Sequence, residues 1–261
     1  MPEKVTAPKI LAMKAADKKI VCLTAYDAYF GRIADRSGVD LLLVGDSLGN
    51  VVLGHDTTVP VTMDDMIHHV RATRRGVERA LLVADLPFGS YNESPAQAVK
   101  NSVALMQAGA EAVKMEGDYT DEIRAIVKAG IPVMGHVGMT PQSVNNFGGF
   151  KVQGKGEASA KVIAAAKSIA AAGAFAIVLE LIPADLSKQI THDISIPTIG
   201  IGAGVHCDGQ VQVLHDILGL ADETFRHASR YVDGQNLFLQ GMERYAADVR
   251  ESRFPKPENS F

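Results

Sequence analysis

Only two cysteines, Cys22 and Cys207, occur in 261 residues, far apart and outside any C-x-x-C or zinc spacing. That excludes a disulfide framework and a thiolate metal site, and makes the reducing cytoplasm the expected location. No apolar run approaches the roughly 18 residues that a membrane span needs. The first 19 residues mix Glu3, Asp17 and five lysines with short apolar pieces, unlike a signal peptide. A formal charge of -4 comes without any basic block, so the electrostatic footprint of a nucleic-acid binder is missing. Neither membrane nor nucleic acid is expected as a partner; small molecules are. No linker rich in Pro, Gly and Ser divides the chain, so one domain is expected.

What is abundant is apolar material: 47% of the residues are hydrophobic against 21% charged, enough to bury a large core and to exclude disorder as the main state. It is distributed as short runs, each followed by a turn and then by a stretch of helical periodicity. Eight strands are predicted: Ile20 to Ala25, Leu41 to Val44, Leu81 to Ala84, Ala112 to Met115, Val133 to Gly135, Ala176 to Leu179, Thr198 to Ile201 and Gln210 to Leu214. Runs without alternation suit parallel strands buried on both faces. Helices are predicted over Asp27 to Arg36, Asp64 to Arg79, Ala96 to Gln107 behind a Ser94-Pro95 start, and Ala158 to Ala172. Eight βα units of about 30 residues each predict an α/β fold, a single-domain (β/α)8 barrel spanning residues 1–261. An N-terminal helical extension and an irregular tail from Arg250 to Phe261 complete the expected layout, and the long loop Gly138 to Gly156 reads as a lid or binding element.

Charged residues terminate these apolar runs: Asp46 and Ser47 after the second, Asp85 after the third, Lys114 and Glu116 around the end of the fourth, and Glu180 after the sixth. In a barrel all of these face the carboxyl-terminal rim, where active sites are built. Adjacent strands lie ~4.8 Å apart, so Asp46, Asp85 and Glu116 can converge. Converging carboxylates repel, and a hard divalent cation relieves the repulsion; oxygen-only ligands favour Mg2+ or Mn2+ over zinc. The bland alternative makes each one a solvated loop carboxylate or a helix cap. Glu180 follows an apolar run that should raise its pKa and suit it to act as a base, unless it forms a structural ion pair. Lys114 neutralises either a substrate anion or its neighbours Asp85 and Glu116. Ser47 either donates to an anion or caps the next segment, and His136, in Gly135-His136-Val137-Gly138, is either a ligand contact or a structural histidine. Gly200-Ile201-Gly202-Ala203-Gly204 lacks the G-x-G-x-x-G spacing of a dinucleotide site, which leaves an anion-accommodating loop or a plain tight turn.

Thr24-Ala25-Tyr26-Asp27, Val44-Gly45-Asp46-Ser47-Leu48-Gly49, Gly54-His55-Asp56-Thr57-Thr58, Ala84-Asp85-Leu86-Pro87-Phe88, Val113-Lys114-Met115-Glu116-Gly117, Gly135-His136-Val137-Gly138 and Gly200-Ile201-Gly202-Ala203-Gly204 occur in this order. The set resembles the ketopantoate hydroxymethyltransferase family over about residues 5 to 255, and no motif position departs from the family's pattern. The resemblance implies a (β/α)8 barrel that transfers a one-carbon unit from 5,10-methylenetetrahydrofolate to 3-methyl-2-oxobutanoate, giving 2-dehydropantoate for pantothenate synthesis. It implies that Asp46, Asp85 and Glu116 hold Mg2+, that Asp46, Ser47, Asp85 and Lys114 contact the oxo acid, and that Glu180 accepts a proton. It also implies a homodecamer of two pentameric rings. The phosphoenolpyruvate mutase and isocitrate lyase group is similar in fold and chemistry, but its Lys-Lys-Cys-Gly-His loop is missing here. A non-catalytic barrel that merely binds an oxo acid or folate would be expected to lack the base, and Glu180 is present.

Overall fold

All eight apolar runs form strands, and the strands close on themselves in sequence order: β1 Ile20–Thr24, β2 Leu41–Val44, β3 Leu81–Asp85, β4 Ala112–Lys114, β5 Val133–Gly138, β6 Ala176–Glu180, β7 Thr198–Ile201 and β8 Gly209–Gln212. The computed structural model describes residues 3–221 and 225–261. Every strand pair is parallel, with Leu41 beside Leu81, Asp85 beside Lys114 and Gly138 beside Glu180. The chain divides into two compact units, one ending at Val213 and one running from Leu214 to Phe261; all eight strands belong to the first.

Alternation along the strands decides what fills the barrel. Side chains two apart point the same way, and Leu41 and Leu43, Leu81 and Val83, Ala176 and Val178, with Ile199 and Ile201, join one buried cluster. The floor of that cluster is closed by Val5, Ala7 and Ile10 of the helix Ala7–Ala15 and the residues leading into it. Continuing the same parity towards the carboxyl ends gives Asp85 after Val83, Lys114 and Glu116 after Ala112, His136 after Met134 and Glu180 after Val178. In β3, β4, β5 and β6 one face is thus apolar at the bottom and ionisable at the top.

The outer helices start where local hydrogen bonds say they should. Asp27 accepts from the N–H groups of Tyr29 and Phe30 ahead of Ala28–Arg36, a Thr62–Asp65 capping box opens Met63–Arg74, and Ser94 caps Pro95–Ala108. The helix expected to reach Arg79 stops at Arg74. Gly76 there lies so close to the Ala28 carbonyl that any side chain would overlap it, and Asp35 captures the next backbone N–H groups: Glu78 at 3.0 Å, Arg79 at 3.1 Å and Ala80 at 2.6 Å. No helix follows β7, because only residues 202–208 separate it from β8.

Asp35 carries a testable consequence. Although burial opposes its ionised form, the N–H groups of Ala80, Arg79 and Glu78 hold its carboxyl below the usual 3.8. A depressed folded-state pKa stabilises above the unfolded value, and that contribution disappears as the pH falls. We expect Asp35→Asn to lose about 2–4 kcal/mol at neutral pH, since the three N–H groups lose a charged acceptor and one of its two oxygens becomes an amide donor facing them. Urea midpoints of variant and wild type should converge below pH ~4; a constant gap across the acid range would contradict the assignment.

In the second unit, Leu214–Ile217 and Gly234–Arg250 are helical. The tail beyond Arg250 is irregular apart from one 3-10 turn, Pro257–Asn259. The longer helix carries Leu237, Phe238, Met242 and Tyr245, none of them buried.

Candidate active site

Asp46, Asp85, Lys114 and Glu116 are all buried at the carboxyl-terminal rim, each at most 4% exposed. Solvated loop carboxylates are therefore ruled out for these three acids. Lys114 Nζ donates to Asp85 Oδ1 at 2.8 Å and lies 3.9 Å from Glu116 Oε1. The Asp46 N–H donates to Asp85 Oδ2 at 3.1 Å, tying the end of β2 to the end of β3. Gly45 permits this approach: a methyl group there would stand 2.9 Å from Ser47 Oγ and 3.4 Å from Asp85 Oδ2. Ser47 makes no capping bond; its hydroxyl pairs with Tyr26 Oη at 2.9 Å.

The charges interact strongly because water is excluded. Burial, followed by the negative charges of Asp85 and Glu116, pushes the Asp46 carboxyl well up. Burial also opposes the ammonium of Lys114, but Asp85, Glu116 and Asp46 outweigh it and push its pKa up. Glu116 moves the other way: burial opposes ionisation, yet His136, Lys114 and the Gln142 N–H keep its carboxyl low.

His136 joins this cluster to Glu180. Its Nδ1 lies 3.3 Å from Glu116 Oε1 and its Nε2 3.4 Å from Glu180 Oε2. Neither nitrogen has a hydrogen-bonded partner, so the contacts are ones of charge. Burial and Lys114 disfavour the imidazolium, but Glu116 and Glu180 prevail and push the pKa up to about 9. Glu180 is the exposed member, its side chain 15% accessible. Its carboxylate meets an imidazole.

Two contacting residues carried no sequence signal, Tyr91 and Gln142; Tyr26 stood in the first family motif without an assigned role. Gln142 lies in the 3-10 turn Pro141–Ser143 after β5, within the segment read as a loop. Its Nε2 donates to Asp46 Oδ2 at 2.8 Å and to the Leu86 carbonyl at 3.0 Å; its backbone N–H donates to Glu116 Oε2 at 3.0 Å. Tyr91 Oη donates to Gln142 Oε1 at 2.6 Å. Gly200 to Gly204 behaves as a tight connection: the Ser187 hydroxyl bonds the Ala203 carbonyl and the Gln210 amide that of Gly204.

The model of the family described as ketopantoate hydroxymethyltransferase matches residues 4–257. The chain belongs to that family. A 3-methyl-2-oxobutanoate hydroxymethyltransferase from Caldicellulosiruptor bescii is 49% identical over 99% of both chains. One from Chloroflexus aurantiacus is 52% identical over 98% of this chain and 92% of its own. Membership of the ketopantoate hydroxymethyltransferase family makes the chain a transferase. In fold it is similar to phosphonopyruvate hydrolase solved in complex with oxalate and Mg++, with a TM-score of 0.63 at 15% identity over 97% of this chain and all of that one. It is likewise similar to 2,3-dimethylmalate lyase, a member of the PEP mutase/isocitrate lyase superfamily, with a TM-score of 0.59 at 16% identity over 96% of this chain and 89% of that one.

Among the described residues, no three His, Cys, Asp or Glu side chains already stand in a metal-holding arrangement. The donor chemistry nonetheless suits a hard cation. Asp46, Asp85 and Glu116 present oxygen ligands only, and crowding by the other two disfavours ionisation of Asp46. No described helix is long and apolar enough to cross a membrane.

Proposed function

We propose that the chain transfers a hydroxymethyl group from 5,10-methylenetetrahydrofolate to 3-methyl-2-oxobutanoate, forming 2-dehydropantoate for pantothenate synthesis in the cytoplasm. One observation carries the reading: in a chain of this family, three buried carboxylates and a buried lysine share one rim with a partly exposed glutamate. Asp46, Asp85 and Glu116 are the residues that would hold a divalent cation, Mg2+ first among them. Bound there, it would polarise the keto group of the oxo acid and stabilise the charge that enolisation places on it.

The chain's own residues do the rest. Lys114, kept charged by its neighbours, offers an ammonium to the substrate carboxylate. Ser47, oriented by Tyr26, supplies a hydroxyl donor beside it. Glu180, on the accessible side, takes the proton from C3, and the resulting carbon nucleophile attacks the methylene carbon carried by the folate. One carbon–nitrogen bond of the methylene bridge breaks as the carbon–carbon bond forms, and water then displaces the second nitrogen, supplying the product hydroxyl and releasing tetrahydrofolate. His136 faces Glu180 as an imidazolium and holds its carboxylate in place through charge. Fixing the base on β6 and the anion site on β4 contributes through orientation of the bound oxo acid. The segment Gly138 to Gly156 is the candidate for folate contacts.

Enolisation can be tested apart from transfer. Given Mg2+ and 3-methyl-2-oxobutanoate in heavy water without folate, the wild-type protein should replace the C3 hydrogen with deuterium. Stripping divalent ions with EDTA should abolish the exchange and Mg2+ should restore it; no exchange with Mg2+ present would overturn the reading. The unburied apolar side chains of Gly234–Arg250 fit association between copies of the chain, and the homodecamer is the assembly the family resemblance implies. Sedimentation should give a mass near ten times the 27.8 kDa chain, and a monomer would contradict it.

A further inference from the structure

The geometry points to Gln142 as a positioning residue that decides which oxygens of Asp46 and Glu116 are presented to a cation, with Tyr91 fixing the orientation of its amide. This rests on the cation reading of the preceding section and adds to it a residue outside the three carboxylates.

Gln142 is 5% exposed and joins two acids from different strand ends. Its side chain occupies Asp46 Oδ2 and its backbone N–H occupies Glu116 Oε2. Each carboxylate is left with one oxygen that Gln142 does not engage, Oδ1 of Asp46 and Oε1 of Glu116, the latter facing His136 Nδ1 at 3.3 Å and Lys114 Nζ at 3.9 Å. Asp85 differs: its Oδ2 accepts from the Asp46 N–H and its Oδ1 from Lys114 Nζ, so Lys114 must give way for Asp85 to join a cation. Donors that restrain one oxygen of a ligating carboxylate orient the other and tune its basicity.

The amide has one sensible orientation. Its Nε2 faces two acceptors, a carboxylate oxygen and the Leu86 carbonyl, so reversing the amide would set oxygen against oxygen at 2.8 and 3.0 Å. The remaining Oε1 then needs a donor, and Tyr91 Oη provides it at 2.6 Å. Tyr91 is 1% exposed and also receives the Glu116 N–H at 3.3 Å, so its hydroxyl is held from both sides. Removing it leaves Asp46 its donor but frees that donor to turn.

The test is direct metal binding without substrate. Mn2+ titrated into metal-free protein and followed by electron paramagnetic resonance gives a Kd independent of turnover. Gln142→Leu should weaken Mn2+ binding by about 10–100-fold, and raising the metal concentration should recover the C3 exchange rate. Tyr91→Phe should weaken it in the same direction by less, and it serves as the readout if Gln142→Leu does not fold. Equal Mn2+ affinity in wild type and a folded variant would overturn the role of Gln142 alone. Failure of wild type to bind Mn2+ would overturn the cation reading, and this inference with it.

Discussion

Glu180→Gln should bind the oxo acid with a nearly unchanged KM and lose about 10³-fold in C3 deuterium exchange, within the range expected for removing a positioned general base. The substitution keeps the shape of the side chain and leaves the buried cluster of Asp46, Asp85, Lys114 and Glu116 untouched. Among the described residues, Glu180 meets that cluster through His136, at 3.4 Å. Proton NMR of the substrate in heavy water follows the exchange directly and needs no folate. A variant that exchanged C3 at the wild-type rate would remove Glu180 from the chemistry, whatever its effect on overall turnover.

Lys114→Met should be damaging in two separate ways. Lys114 is the ammonium that neutralises Asp85 at 2.8 Å and faces Glu116 at 3.9 Å, with its side chain 5% exposed. Losing one partner of a buried ion pair leaves the other uncompensated and costs about 3–5 kcal/mol. The metal-free variant should therefore unfold at clearly lower urea than wild type, with part of the loss recovered by Mg2+, because a cation can replace the missing charge. Mg2+ should not restore the anchor for the substrate carboxylate, so KM for the oxo acid should remain raised by about 10²-fold, as expected for losing a charged hydrogen bond of about 3 kcal/mol. Denaturant curves and initial rates separate the two effects. Wild-type KM at saturating Mg2+ would show that Lys114 serves only its neighbours.

The barrel was legible because most of its strands, from β2 to β7, are buried on both faces and read as apolar runs punctuated by turns, whereas β1 and β8 each expose a residue. The rim residues were legible for a related reason: a charge at the end of such a run stands out against Leu41 to Val44 or Ala176 to Leu179. Strand parity sharpens this, since Val83 and Asp85, or Val178 and Glu180, lie on one side of their strands. What escaped the sequence depends on where the chain goes between strands. Gln142 and Tyr91 sit in loops, and only the closed barrel brings them to Asp46 and Glu116 from 96 and 25 residues away. The helix stop at Arg74 goes with a close approach of Gly76 to the Ala28 carbonyl, open only to glycine, that no local pattern encodes. Whether Lys114 met Asp85 or Glu116 also required the register of β3 against β4, which sets Asp85 beside Lys114.

The decisive measurement is the product formed when the purified chain is incubated with Mg2+, 3-methyl-2-oxobutanoate and 5,10-methylenetetrahydrofolate and the mixture is resolved by mass spectrometry. The account predicts 2-dehydropantoate, its added carbon labelled when the methylene group of the folate is labelled. Oxo acid that exchanges C3 but never gains the labelled carbon would contradict the transfer; oxo acid recovered unchanged in both respects would contradict the site itself.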